Sequence, residues 1–75
     1  MSHSFSSNSP KERLLRLKEV QSRVSLSRAS IYRLQALRVF PHSLPLGPRS
    51  VAWAESAIDA WIQERISLAR AAEVR

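Results

Sequence analysis

The sequence predicts a small, mainly α-helical domain with a β-hairpin: three helices, and a two-stranded ribbon between the second and the third. Three observations predict it. Apolar residues return at three- and four-residue intervals in separate stretches, the mark of one buried helix face. Three prolines and the only glycine fall between residues 41 and 48, which excludes a continuous helix there. Period-two alternation on both sides of Gly47-Pro48 marks two short strands.

A chain of 75 residues has room for one domain. A domain of that size buries only about 60% of the surface its unfolded chain exposes, so its core must be economical. Apolar residues make up 44% of the chain, which is the globular range. With no cysteine, neither a disulfide framework nor a thiolate zinc site can supplement that core. The two histidines, His3 and His42, are too few and too isolated for a metal site, so no metal or small-molecule cofactor is expected.

In chain order, residues 1–10 are Ser/Asn-rich and lack periodicity, which predicts a disordered leader without the apolar stretch of a secretory signal. The domain is expected over residues 11–72 and a C-terminal tail over 73–75. R-L-L-R-L, Arg13 to Leu17, reads as a short extended entry. A first helix follows from about Leu17 to Val24, with Leu17, Val20 and Val24 on one face. Ser25 and Leu26 make a tight connection, and Ser27 is placed to cap a second helix that runs to about Leu37. In the ribbon, Leu44 and Leu46 alternate with Ser43 and Pro45, and Val51 and Trp53 alternate with Ser50 and Ala52. Its prolines predict an exposed edge. The last helix, about residues 54–72, carries the stripe Ile58, Trp61, Ile62 and Ile66. Helix, tight turn, helix, ribbon, helix is the order of a winged helix-turn-helix unit.

Charge is concentrated in one part of this plan. Between Lys11 and Arg49 there are nine basic and two acidic residues, whereas Ser50 to Arg75 holds three basic and four acidic ones. A local balance of +7 suits a surface that meets a polyanion. Around the second helix, Ile31 and Leu34 fall on one side, with Ser30 beside them and Leu37 at the margin. Arg28, Ala29, Tyr32, Arg33 and Ala36 fall on the other. A tyrosine turned outward between two arginines suits a face that packs on a sugar–phosphate backbone, and the alanines allow close approach. Arginine can bridge two guanine acceptors or clamp a phosphate. Ser27 and Ser30 can add phosphate contacts near the helix N-terminus. Arg49, just after the ribbon turn, is the candidate wing contact, His42 a minor aid, and Lys18 a phosphate anchor.

Catalysis finds no support. The serines lack an identifiable base-and-carboxylate partner set, and no glycine-rich loop is available to cradle phosphate. Glu55, Asp59 and Glu64 read as helix-surface residues. No apolar run reaches the roughly 20 residues that span a bilayer, so a cytoplasmic location and no membrane partner are expected.

Five ordered blocks carry a resemblance: L-L-R-L-K-E-V, S-L-S-R-A-S-I-Y-R-L, F-P, L-G-P-R-S-V-A-W and I-D-A-W-I-Q-E-R, between residues 14 and 65. Together they resemble the AlpA family of small phage- and prophage-linked transcriptional regulators, related in fold to excisionases and to the DNA-binding domains of MerR-type proteins. The resemblance implies a DNA-binding winged helix-turn-helix. Its S-R-x-[ST]-I-Y-R recognition helix maps onto Ser27, Arg28, Ser30, Ile31, Tyr32 and Arg33, and its L-G-x-R wing onto Leu46, Gly47 and Arg49. It also implies that Trp53 and Trp61 are core residues. Two departures stand out, because relatives often have glycine where this chain has Ser25 and Arg38. If those sites need a positive φ, a side chain there costs up to about 1–2 kcal/mol.

The expected function is therefore a sequence-specific regulator that binds double-stranded DNA in a phage, prophage or integrated element, associated with the nucleoid. Its contact set is Lys18, Ser27, Arg28, Ser30, Tyr32, Arg33 and Arg49, with residues 27–37 in the major groove and 43–53 on the backbone or minor groove. Cooperative self-association on repeated sites would suit a reader this small. The alternatives are an excisionase-like protein that bends recombination-site DNA, and a protein-interaction module whose basic face binds an acidic partner.

Overall fold

The computed structural model describes residues 12–73. The Ser/Asn-rich leader and residues 74–75 lie outside the described residues. The elements are β1 (Leu14–Leu15), α1 (Leu17–Val24), α2 (Arg28–Ala36), β2 (Leu44–Gly47), β3 (Ser50–Ala54) and α3 (Glu55–Glu73). The predicted order of helices and ribbon is present, and the fold is a winged helix-turn-helix.

The ribbon is not two-stranded, however. The entry segment pairs with it, giving an antiparallel sheet of order β1-β3-β2. Leu14 lies opposite Ala54 and Leu15 opposite Trp53, and the Glu55 N–H donates to Arg13 O at 2.9 Å. The cause is burial, since Leu15 can bury its side chain almost completely only if its backbone polar groups find a partner strand. β3 thus becomes the central strand, and both of its faces are covered. Ala52, expected on the outer side by alternation, is as fully buried as Trp53. The ribbon prolines Pro45 and Pro48 stay on the β2 edge and its turn, where a missing N–H breaks no ladder bond.

The first two helices each have a local reason to start and stop. Glu19 Oε1 accepts from the Arg16 N–H at 3.0 Å and so satisfies a free donor at the head of α1. Ser25 ends that helix at φ 59°, ψ 41°, with its N–H donating to Gln21 O at 2.8 Å. Ser27 caps α2 as expected, its Oγ accepting from the Ser30 N–H at 3.1 Å. Past α2 a full Schellman arrangement forms: Arg38 N–H donates to Gln35 O and Val39 N–H to Leu34 O, with Arg38 at φ 63°. Both positions where relatives often carry glycine therefore do hold the left-handed conformation.

The core comprises Leu15, Val20, Ile31, Phe40, Trp53 and Ile58, flanked by half-buried Leu17, Val24, Leu26, Leu34, Val51, Trp61 and Ile62. Trp61 differs from expectation. It sits at the core margin, edge-on to Phe40 with ring centroids 4.9 Å apart, and its Nε1–H donates to Val39 O at 2.8 Å. The stripe of α3 is also shorter than it reads. Ile58 is fully buried, Ile62 is half-buried, and Ile66 is 37% exposed. Nineteen helical residues extend about 28 Å, and residues 63–73 are all exposed, so the second half of α3 projects from the body.

Charged side chains fasten the body outside the core. Arg13 pairs with Glu19 at 3.3 Å and Glu55 at 3.5 Å, and Arg23 pairs with Glu55 at 2.9 Å and with Asp59. This chain of ion pairs ties the β1 approach and α1 to the first turns of α3.

Candidate nucleic-acid interface

α2 presents the two sides that its sequence assigned to it. Ile31 is fully buried and Leu34 half-buried, while Arg28, Ala29, Arg33 and Ala36 are exposed. Tyr32 serves both sides. It is 36% exposed, its ring lies 6.4 Å from that of buried Trp53 at a tilt of 57°, and the Arg28 guanidinium lies 5.6 Å from its centroid. A stack thus runs from the sheet outward, Trp53 to Tyr32 to Arg28. The inner end is fixed, because Trp53 Nε1–H donates to Gln35 Oε1 at 2.9 Å and Pro41 O at 3.1 Å. The cation–π contact at the outer end is worth about 0.5–1 kcal/mol and limits where Arg28 can point.

Where α1, α2 and the hairpin meet, Arg16, Leu17, Lys18, Arg28, Tyr32, Arg49 and Val51 line one groove of about 410 Å³. Four of the expected contact residues converge there: Lys18, Arg28, Tyr32 and Arg49. The other three do not. Ser27 is exposed and Ser30 half-buried, and they bond each other through their hydroxyls at 3.1 Å beside the cap. Arg33 is exposed on the outward side of α2, round from the groove. His42 stands apart, in a separate hollow with Arg38, Trp61 and Arg65 against α3.

The groove also holds a residue that sequence reasoning counted but did not single out, Arg16. The available signal was its position two residues before Lys18, at the boundary between strand and helix. Gln35 was missed as well, since nothing in sequence pairs it with Trp53 eighteen positions on.

Electrostatics sharpen the groove further. Arg13 and Arg23 are engaged by carboxylates. Among the described residues from 12 to 49, Arg16, Lys18, Arg28, Arg33, Arg38 and Arg49 form no salt bridge. Arg49 occupies an unusual backbone position, φ 81°, in the turn at the tip of the hairpin. With Pro48 before it, this is the positive φ that the third position of a type II turn requires. Gly47, which the sequence suggests as the turn residue, has no positive φ. Among the described residues, no cluster of three His, Cys, Asp or Glu side chains is arranged to hold a metal ion, and no helix is long and apolar enough to cross a membrane.

Fold and groove together define a small winged helix-turn-helix protein with a cationic concavity between its second helix and its wing. The chain belongs to the AlpA family: the family model described as prophage CP4-57 regulatory protein (AlpA) matches residues 13–66. It is 43% identical over 56 residues to the uncharacterized protein ORF88 of Enterobacteria phage P4, a match that covers 75% of this chain and 64% of that protein. It is 38% identical over 64 residues to the DNA-binding transcriptional activator AlpA of Escherichia coli K12, covering 75% of this chain and 89% of that one. This chain thus spans about two thirds of the phage protein's length and most of the bacterial one's.

Proposed function

We propose that this protein is a sequence-specific regulator of transcription that binds double-stranded DNA and serves a phage, prophage or integrated element. The convergence of Lys18, Arg28, Tyr32 and Arg49 on one groove, from three different elements, carries the proposal. α2 enters the major groove with Arg33 forward and Arg28 gripping the groove's edge, and alanines at 29 and 36 permit close approach. The hairpin lies along the neighbouring backbone or minor groove with Arg49 at its tip. The Escherichia coli relative, named a DNA-binding transcriptional activator, supports the same reading.

The test is footprinting on the DNA flanking the gene, followed by gel-shift titration of variants. Arg28→Ala and Arg33→Ala are expected to weaken binding about tenfold or more while the protein stays folded, since neither side chain is buried. The melt should be unchanged in Arg33→Ala and lowered by about 2–6 °C in Arg28→Ala, which loses the contact with Tyr32. Wild-type affinity in Arg28→Ala would overturn the contact assignment. Failure of the wild type to bind any duplex at moderate salt would favour an acidic protein partner instead.

A further inference from the structure

We propose that Arg16, Lys18, Arg28 and Arg49 together seat one backbone phosphate of the bound duplex, with Arg16 as a phosphate ligand. The proposal rests on the DNA-binding reading and assigns a specific subsite within it. Four observations lead to it.

The four cations come from the head of α1, from α2 and from the hairpin turn, and they line the same concavity. None forms a salt bridge among the described residues, although Arg13 and Arg23 nearby in sequence both do. Four like charges around one hollow repel each other in the free protein, and an anion between them turns that repulsion into attraction. Half-buried Leu17 and Val51 line the same groove, and their apolar side chains put low-dielectric material on one side of the charges.

Two of the arginines are also constrained. Arg28 rests on Tyr32, which rests on Trp53. Arg49 projects from a turn whose positive φ an L-residue adopts at a cost, the kind of strain that persists where a side chain is needed in one place. Arg16 is the residue immediately before α1, and its backbone N–H is already engaged by Glu19. The negative charge of Glu19 therefore answers the helix terminus, and the anion is left to the side chains. A phosphodiester matches this seat: two non-bridging oxygens share its negative charge, and guanidinium forks bind such oxygens in pairs.

A ligand of this kind carries no base information, and that sets the experiment. Using the full chain and its footprinted operator, affinity is measured by fluorescence anisotropy from 50 to 300 mM KCl. The proteins compared are wild type, Arg16→Gln, Arg16→Lys and, as a control remote from the groove, Arg70→Ala. The expected result is that Arg16→Gln lowers the slope of log affinity against log salt, by less than the about 0.9 of one whole phosphate because three cations remain, and weakens binding about fivefold at 0.1 M. The loss should be equal on operator and scrambled duplexes. Arg16→Lys should restore the slope, and Arg70→Ala should match wild type. A scan of single methylphosphonate substitutions should then find one position whose neutralisation weakens wild type strongly and Arg16→Gln by a smaller factor, since three cations remain there.

An unchanged slope and affinity in Arg16→Gln overturns the proposal while the DNA reading stands. A loss confined to one base pair overturns it in favour of base readout. Inorganic phosphate that displaces DNA at millimolar concentration, when KCl of equal ionic strength does not, assigns the seat to a free anion instead. A wild type that binds no duplex defeats the underlying reading itself.

Discussion

Ser25, Arg38 and Arg49 hold φ values of 59°, 63° and 81°, a region that glycine enters freely and side-chain residues enter at a cost. The three sites differ in what the residue gives in return. Ser25 is exposed and its N–H closes α1, a bond glycine would keep. Ser25→Gly is therefore expected to stabilise the fold by about 0.5–1 kcal/mol, after the greater chain entropy of glycine is subtracted, and to raise the melting temperature by about 3–6 °C. A calorimetric scan checks this, and a lower melting temperature would mean that the serine side chain has a structural role. Arg49 is different, because glycine there would relax the turn and remove a groove cation together. Such positions explain part of what sequence leaves unread. A positive φ at Ser25 or Arg38 follows from knowing that relatives carry glycine, whereas the φ at Arg49 has no counterpart in the residue string, which offers Gly47 as the obvious turn residue.

The elements themselves were legible wherever a period repeats long enough. Val20 and Val24, Ile31 and Leu34, and Ile58 and Ile62 all fall on the inward faces that their spacing assigns. What spacing cannot give is pairing at a distance. β1 has two residues, too few to show alternation, and it is a strand only because β3 lies beside it. The same holds for the groove: α2 announced its outward face, but the convergence of Arg16 with Arg49 depends on how the hairpin folds back. Long-range pairing also supplies the head of α3. Glu12, upstream of β1, accepts from the Ser56 N–H at 3.1 Å and from its hydroxyl at 2.8 Å. The Ser56 hydroxyl and then its backbone N–H hold the Glu12 carboxyl below its ordinary value of 4.5. A depressed folded pKa stabilises the fold above the unfolded value, and that contribution is lost as pH falls below 4.5 through the folded one. Glu12→Gln should thus flatten the acid side of a stability–pH curve measured by urea denaturation from pH 3 to 7. An unchanged slope below pH 4.5 would show that the cap does not couple to folding.

For the molecule as a whole, Trp53 links the parts that must stay in register. It stands on the central strand, is fully buried, bonds Gln35 of α2 and Pro41 of the following loop, and supports Tyr32. Trp53→Ala is expected to cost about 3–5 kcal/mol, enough to unfold so small a domain at 37 °C. Trp61→Ala, at the core margin, should leave a folded protein with a lower melting temperature; circular dichroism melts of the two variants separate these outcomes. The wing is part of the same rigid frame, and its tip has a consequence for the thermodynamics of contact. The Pro48 ring fixes one φ and the turn defines the backbone at Arg49, so the tip has less conformational entropy to lose when it meets a partner. Replacing Pro48 with glycine would restore that freedom to the unbound tip. In the proposed DNA complex, affinity should fall about two- to fivefold, and titration calorimetry should assign the loss to a less favourable entropy of binding.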